Sequence, residues 1–269
     1  MFGGHIINVS GPGDIDRSRC VFCERPFIKG DQERERSGEH AWPKWLAKAL
    51  PGGGGQKFKH NGPRARTSKG FDLQAKIVCR GCNHGWMEET IEDAAKPHLW
   101  PAIQGAAVTY SAGATERMAY WALKTAMIID WTWGQPSRAL PVEMYPELYA
   151  AQGVLPNTFV WIGGWDRNNA VHALNGNLHF APDKGVFNSV WFGLLGVGSL
   201  ILLVVRRTDS SEASLHIDNQ KLGGPKLLPI WPPQGPVMFP PVPIGTLFSD
   251  EALHLLAINL VVGEALKPA

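Results

Sequence analysis

The sequence predicts an α+β chain, with a small cysteine-bearing unit first and a mixed region of helix and antiparallel sheet after it. Three observations carry this. All 4 cysteines fall in the first third of the 269 residues, as two Cys-x-x-Cys pairs, Cys20/Cys23 and Cys79/Cys82. A long amphipathic helical pattern covers residues 115–131, where Tyr120, Leu123, Met127 and Ile128 share a face. Strand-like runs then follow at 158–165, 171–180, 186–196 and 199–206, with turn residues such as Asn175-Gly176-Asn177 among them.

Composition bounds the rest. An apolar fraction of 44% and a charged fraction of 19% are those of a globular chain and exclude a disordered one. A net charge of +2 is too small for a global argument for polyanion binding, so such an argument has to rest on local clustering. The opening Met1-Phe2-Gly3-Gly4-His5 has no basic stretch and no apolar stretch, which predicts no secretory signal and a cytoplasmic chain. The apolar run at 190–205 is short for a membrane span and holds Gly193, Gly196 and Gly198, so two strands and a turn explain it better.

In chain order, residues 1–16 read as a lead-in, 17–100 as the cysteine-bearing unit and 101–269 as an α+β domain. Within the first unit, 41–50 reads as a short helix stopped by Pro51, 71–78 as a strand, and Cys82 onward as a helix that Pro97 ends. In the second, Thr115 is the expected cap of the long helix and Ser249 that of a last helix over 250–261. The proline-rich segment 226–245 is expected to wrap the surface without regular structure. Lys124, on an otherwise apolar helix, reads as a stem that reaches to solvent.

The cysteine spacing points to a metal. Each pair presents two sulfurs from one turn, and two such turns make a closed set of four thiolates, which suits structural Zn²⁺. The competing readings are a redox pair or inert buried thiols. Between the pairs lies Gly38-Glu39-His40-Ala41-Trp42-Pro43-Lys44-Trp45. A carboxylate is a hard ligand for Mg²⁺ or Mn²⁺, and an imidazole titrates near neutrality and can take a proton from water. Asn83 follows the last cysteine and offers an amide oxygen as a second ligand; its plainer reading is a helix N-cap. His40 has a plainer reading too, as a ring packed under Trp42 or Trp45.

The pattern CVFC, EHAWPKW, VCRGCNHGWM resembles the HNH endonuclease family, carried by Cys20, Cys23, Glu39, His40, Pro43, Cys79, Cys82 and Asn83. That resemblance covers roughly 17–100 and implies a ββα-metal, treble-clef-like fold stapled by zinc. It implies that His40 is the general base, that Glu39 and Asn83 hold a divalent Mg²⁺ or Mn²⁺, and that the reaction is phosphodiester hydrolysis in DNA, with RNA as an alternative. The family's middle Asn, which orients the base, has no direct counterpart here. Gln74 is the nearest amide and would act through its carbonyl; Asp72 and Asn61 are other candidates, and Glu88 or Glu89 stands where the family has a second metal-side histidine. Lys44, Lys57, Lys59, Arg64, Arg66 and Lys69 are the candidate nucleic-acid contacts, the last five forming a cationic run with no acid before Asp72. The contrasting reading of that run is an ordinary solvated loop.

The layout is similar to proteins of bacteria and their phages. A second function class follows from the missing Asn: an inactive zinc module that binds DNA or a protein, as a regulator, a phage-encoded inhibitor or a defence component. On either reading, residues 101–269 are expected to supply target recognition, dimerisation or a partner surface.

Overall fold

The computed structural model describes residues 16–50, 57–59, 67–69, 71, 73–132, 139–166, 171–179, 189–207, 215–217, 219, 226–240, 248–249 and 266–268. The two cysteine turns flank a small hairpin-like pairing. Strand β1, Arg36–His40, leads to a short helix α1, Lys44–Ala49. Strands β2, Lys57–Lys59, and β3, Thr67–Lys69, pair antiparallel, with Lys57 opposite Lys69. Strand β4, Gln74–Cys79, returns antiparallel to β1 and runs directly into a helix.

That helix opens as a π-helical stretch, Gly81–Glu92, and continues as α2, Asp93–Ile103. Pro97 does not end it; both Pro97 and Pro101 lie inside α2. A proline withholds one N–H from the ladder, and here it falls just after the ladder changes from i→i−5 to i→i−4 pairing, where the regular pattern is already broken.

The second half is built on helix α3, Ala112–Thr132. It starts earlier than expected because Ser111, not Thr115, caps it: the Ala114 N–H donates to Ser111 Oγ at 3.4 Å. From Ala114 to Asp130 the helix is buried on nearly every side, which is the pattern of a central helix and not of a surface one. Helix α4, Met144–Ala151, follows.

A five-stranded antiparallel sheet packs against α3. Its order is β11–β6–β9–β8–β7, from β6 (Thr158–Gly164), β7 (Val171–His179), β8 (Ser189–Val197), β9 (Leu200–Arg207) and β11 (Leu228–Trp231). Strands β8 and β9 account for the apolar run at 190–205, turning at Gly198, whose φ of +56° suits glycine. Both faces of this hairpin are covered. Leu200, Leu202 and Val204 join the core that includes α3, while Ile201, Leu203 and Val205 join a second cluster with Trp161, Trp165 and Phe248. Burial on both faces explains why the run shows no alternation of polar residues. No described helix is long and apolar enough to cross a membrane.

Two expectations fail here. Asn175-Gly176-Asn177 lies inside β7 and makes no turn; Asn175 Nδ2 donates to Asp130 and Asn177 Nδ2 to the Ala139 carbonyl, so both amides serve packing against the loop after α3. The proline-rich segment is not irregular: β11 pairs with β6, and β12, Val237–Phe239, pairs with β5, Val108–Tyr110. Pro229 is accepted because β11 is an edge strand, where a missing donor breaks no ladder bond on the open side. Strand β10, Leu215–Ile217, pairs with β13, Leu266–Pro268. The helix expected over 250–261 lies outside the described residues.

The first cysteine turn sits against the second half of the chain. Phe22 meets Trp86 and Tyr145 edge-on at 5.3 and 5.4 Å, and Trp86 Nε1 donates to the Tyr120 hydroxyl at 3.0 Å. One continuous core thus runs from the cysteine turns through α3 to the sheet.

Candidate metal centre and the adjoining cleft

The four cysteine sulfurs converge: the Sγ atoms of Cys20, Cys23, Cys79 and Cys82 all lie within 4.8 Å of one another. Cys23 and Cys79 are 3.6 Å apart. A tetrahedral Zn–S distance of about 2.3 Å gives sulfur–sulfur edges of about 3.8 Å. The set therefore fits a structural metal such as zinc.

Local chemistry makes both turns. After Cys20, the Glu24 N–H donates to the Cys20 carbonyl at 2.9 Å, with Glu24 at a left-handed φ of 57°. After Cys79, the Cys82 N–H points at the Cys79 sulfur at 3.4 Å, and Arg25 Nε points at the Cys23 sulfur at the same distance. Donors of this kind favour thiolate over thiol. The Val21 N–H donates to the Ile77 carbonyl at 3.0 Å, knitting the first turn to the strand that carries the second.

Beside this centre is a cleft of about 380 Å³ whose wall includes Glu39, His40, Lys44, Asn83 and Glu92. The strand β1 delivers two of them. Its register with β4 shifts between Ser37 and Glu39, where Gly38 alone faces both Lys76 and Ile77, so the extra residue of the bulge lies in β4. Bulges re-aim side chains, and here the carboxylate of Glu39 turns inward while His40 stays half-exposed. Asn83 comes from the first turns of the π-helical stretch. Its side chain does not cap that helix: Nδ2 donates to Ser37 Oγ at 2.8 Å and to the Gly38 carbonyl at 3.3 Å. With the nitrogen committed to β1, Oδ1 is the atom left for a cation.

Gln74 pairs with His40 across the strands, as its place before the third cysteine suggested, but not through its carbonyl. Gln74 Nε2 lies 2.7 Å from His40 Nε2. Its Oε1 lies beside Gly38, 2.8 Å from where a Cβ would stand, so the absent side chain of Gly38 makes room for it. An amide NH₂ only donates, so in this arrangement His40 accepts at Nε2.

Glu39 is 4% exposed, and its partner comes from a distant part of the chain. Lys124, from α3, is fully buried; its Nζ donates to Glu39 Oε1 at 2.9 Å and to Glu92 Oε1 at 2.6 Å. The expectation that Lys124 reaches solvent is thus overturned, because α3 has no polar side along which its stem can run. The surrounding residues, Trp121-Ala122-Leu123 before and Thr125-Ala126-Met127 after, were the one available signal: a lysine in a helix apolar on all faces has to find an anion. Burial holds the Glu39 carboxyl above its usual range against the opposing pull of Lys124, with Glu92 adding to the rise. Lys124 suffers the same desolvation, yet the two glutamates outweigh it and keep it protonated.

The other anticipated residues are spread. Glu88 stands in the same cleft wall, where it pairs with His84 at 3.1 Å, while Glu89 lines a separate hollow with Glu33 and Arg80. Lys57, Lys59 and Lys69 lie on the β2/β3 pair, with side chains outside the described residues; Arg64, Arg66, Asn61 and Asp72 lie outside them altogether. Compared with family models, curated proteins and solved structures, the chain matches none of them.

Proposed function

We propose that the chain is a metal-dependent endonuclease of the HNH type that hydrolyses phosphodiester bonds of DNA in the cytoplasm of a bacterial or phage-infected cell, with RNA as the alternative substrate. The observation that carries this reading is that Glu39, His40 and Asn83, from a strand end and a helix start, share one cleft wall beside the cysteine cluster. Zinc on the four thiolates would lock that strand to that helix and would have no open position for chemistry.

Glu39 and Asn83 present oxygen ligands suited to Mg²⁺ or Mn²⁺. When bound, such an ion stabilises charge on the scissile phosphate and on the leaving 3′ oxygen. His40 takes the proton from the attacking water. For that, the Gln74 amide presents its carbonyl oxygen to the His40 Nε2–H, half a turn from the arrangement described, and the lone pair then sits on Nδ1. Lys44, on the same wall, meets a flanking phosphate. Residues 101–269 would supply a partner surface or pair two copies of the chain.

A second reading has one observation in its favour. Glu39 already holds a cationic partner in Lys124, which suits a zinc module that binds DNA or a protein without turnover. Plasmid cleavage with several divalent ions separates the two. The nuclease reading expects nicking or cutting that EDTA stops, and that His40→Ala stops with an unchanged melting temperature. Cleavage by His40→Ala removes His40 from its role. Salt-sensitive binding with no cleavage in any metal leaves the second reading.

A further inference from the structure

We propose that Lys124 is a positioning residue for the cleft, that Glu92 is the second carboxylate it presents there, and that the two roles together rest on the cation-binding reading above. Glu39 and Glu92 come from unconnected elements, the end of β1 and the end of the π-helical stretch. A single ammonium draws both: each gives its Oε1 to Lys124 Nζ, at 2.9 and 2.6 Å. Both glutamates stand in the cleft wall, and Lys124, at 0% exposure, does not. The lysine therefore holds the carboxylates from behind, and each keeps a second oxygen.

Charge agrees with this geometry. With both carboxylates ionised, the triad of Glu39, Glu92 and Lys124 carries a single net negative charge, which favours a divalent ion beside it. A buried, hydrogen-bonded ammonium also fixes the carboxylate planes, as an outer partner does for ligands in metal sites. Because α3 packs on the sheet, Lys124 ties the ligand geometry to the second half of the chain.

The test is Mn²⁺ titration, by calorimetry or by the loss of the free-ion EPR signal, on the full zinc-loaded chain and on Glu39→Gln, Glu92→Gln, Lys124→Met and Lys124→Met/Glu92→Gln. The wild-type chain is expected to bind Mn²⁺ and Glu39→Gln to lose it. Glu92→Gln and Lys124→Met should each weaken binding tenfold or more at unchanged zinc content; a merely structural lysine would change the melting temperature and leave the Mn²⁺ affinity of the folded chain alone. Wild-type affinity in Lys124→Met overturns the proposal, and so does tighter binding, which would make the ammonium a substitute for the ion. Should Lys124→Met not fold, the double variant decides: affinity below that of Glu92→Gln supports the proposal, and equal affinity overturns it. If Glu39→Gln loses Mn²⁺ while Lys124→Met keeps it, only the positioning role falls. If the wild-type chain binds no Mn²⁺, or Glu39→Gln binds it equally well, the cation reading falls and the positioning role with it.

Discussion

Lys124 and Glu39 are 85 positions apart in the chain, and the ammonium of one lies 2.9 Å from the carboxylate of the other with neither open to solvent. An ion pair with so little access to water is governed by desolvation as much as by attraction. Breaking it from one side leaves a buried charge without a counter-ion. Lys124→Met is therefore expected to cost about 3–5 kcal/mol, read from denaturant melts. A cost under about 1 kcal/mol would mean that Glu39 gains another partner or becomes protonated without penalty.

The cysteine centre should dominate the stability of the region around it. The Cys20 and Cys79 turns are joined by few backbone bonds, so a metal holding all four sulfurs supplies much of the cohesion, on the order of 10 kcal/mol in comparable structural sites. Metal analysis of the purified chain should find zinc, and a strong chelator should lower the melting temperature and loosen residues near Phe22 and Trp86. Trp86 packs on Phe22, so the part of the tryptophan fluorescence change that a Trp86→Phe variant lacks reports the loosening there. An unaltered melt after complete zinc removal would refute the structural role.

Asp130 gives a pH dependence. Its carboxyl is buried at the end of α3, where it accepts from the Ala139 and Leu140 N–H groups at 3.0 and 3.1 Å. Burial outweighs these bonds and pushes it up from 3.8 to about 6. The folded chain thus binds this proton more tightly than the unfolded one. The contribution to stability is present below pH 4 and declines as pH rises toward 6, by on the order of 2–3 kcal/mol. Asp130→Asn, which cannot titrate, should remove that slope; the difference between the two stability–pH curves is the measurement. Parallel curves between pH 4 and 7 would exclude it.

At Gly193 helix α3 packs tightly against the sheet. A Cβ there would stand 2.7 Å from Ala126 Cβ and 3.3 Å from the Trp191 ring. Neither the helix nor the indole has room to withdraw, so Gly193→Ala should destabilise by about 1–3 kcal/mol. Pairing it with Ala126→Gly should recover part of the loss. Gly113, whose Cβ would meet nothing within 4 Å, is the control.

Local features were readable from residue order. The Cys-x-x-Cys spacing located both cysteine turns, because two thiols on one tight turn are a property of adjacent residues. Apolar, strand-like runs bounded by turn residues located β6, β8 and β9 to within a few positions. Where local rules misled, a neighbour had intervened. Edge placement let Pro229 into a strand, and Asp130 and the Ala139 carbonyl let Asn175-Gly176-Asn177 stay extended.

By itself the sequence determined the cysteine turns, the adjacency of Glu39 and His40, and the alternation of helix and sheet, all of which depend on groups a few residues apart. Only the tertiary structure decided that Asn83 binds β1 in place of a helix end, that the Gln74 amide stands against the His40 ring, and that Lys124 joins Glu39 to Glu92. The reason is physical: a buried charge takes whichever opposite charge the packed core brings within reach, and that is set by how α3 docks and not by the residues beside Lys124 in the chain.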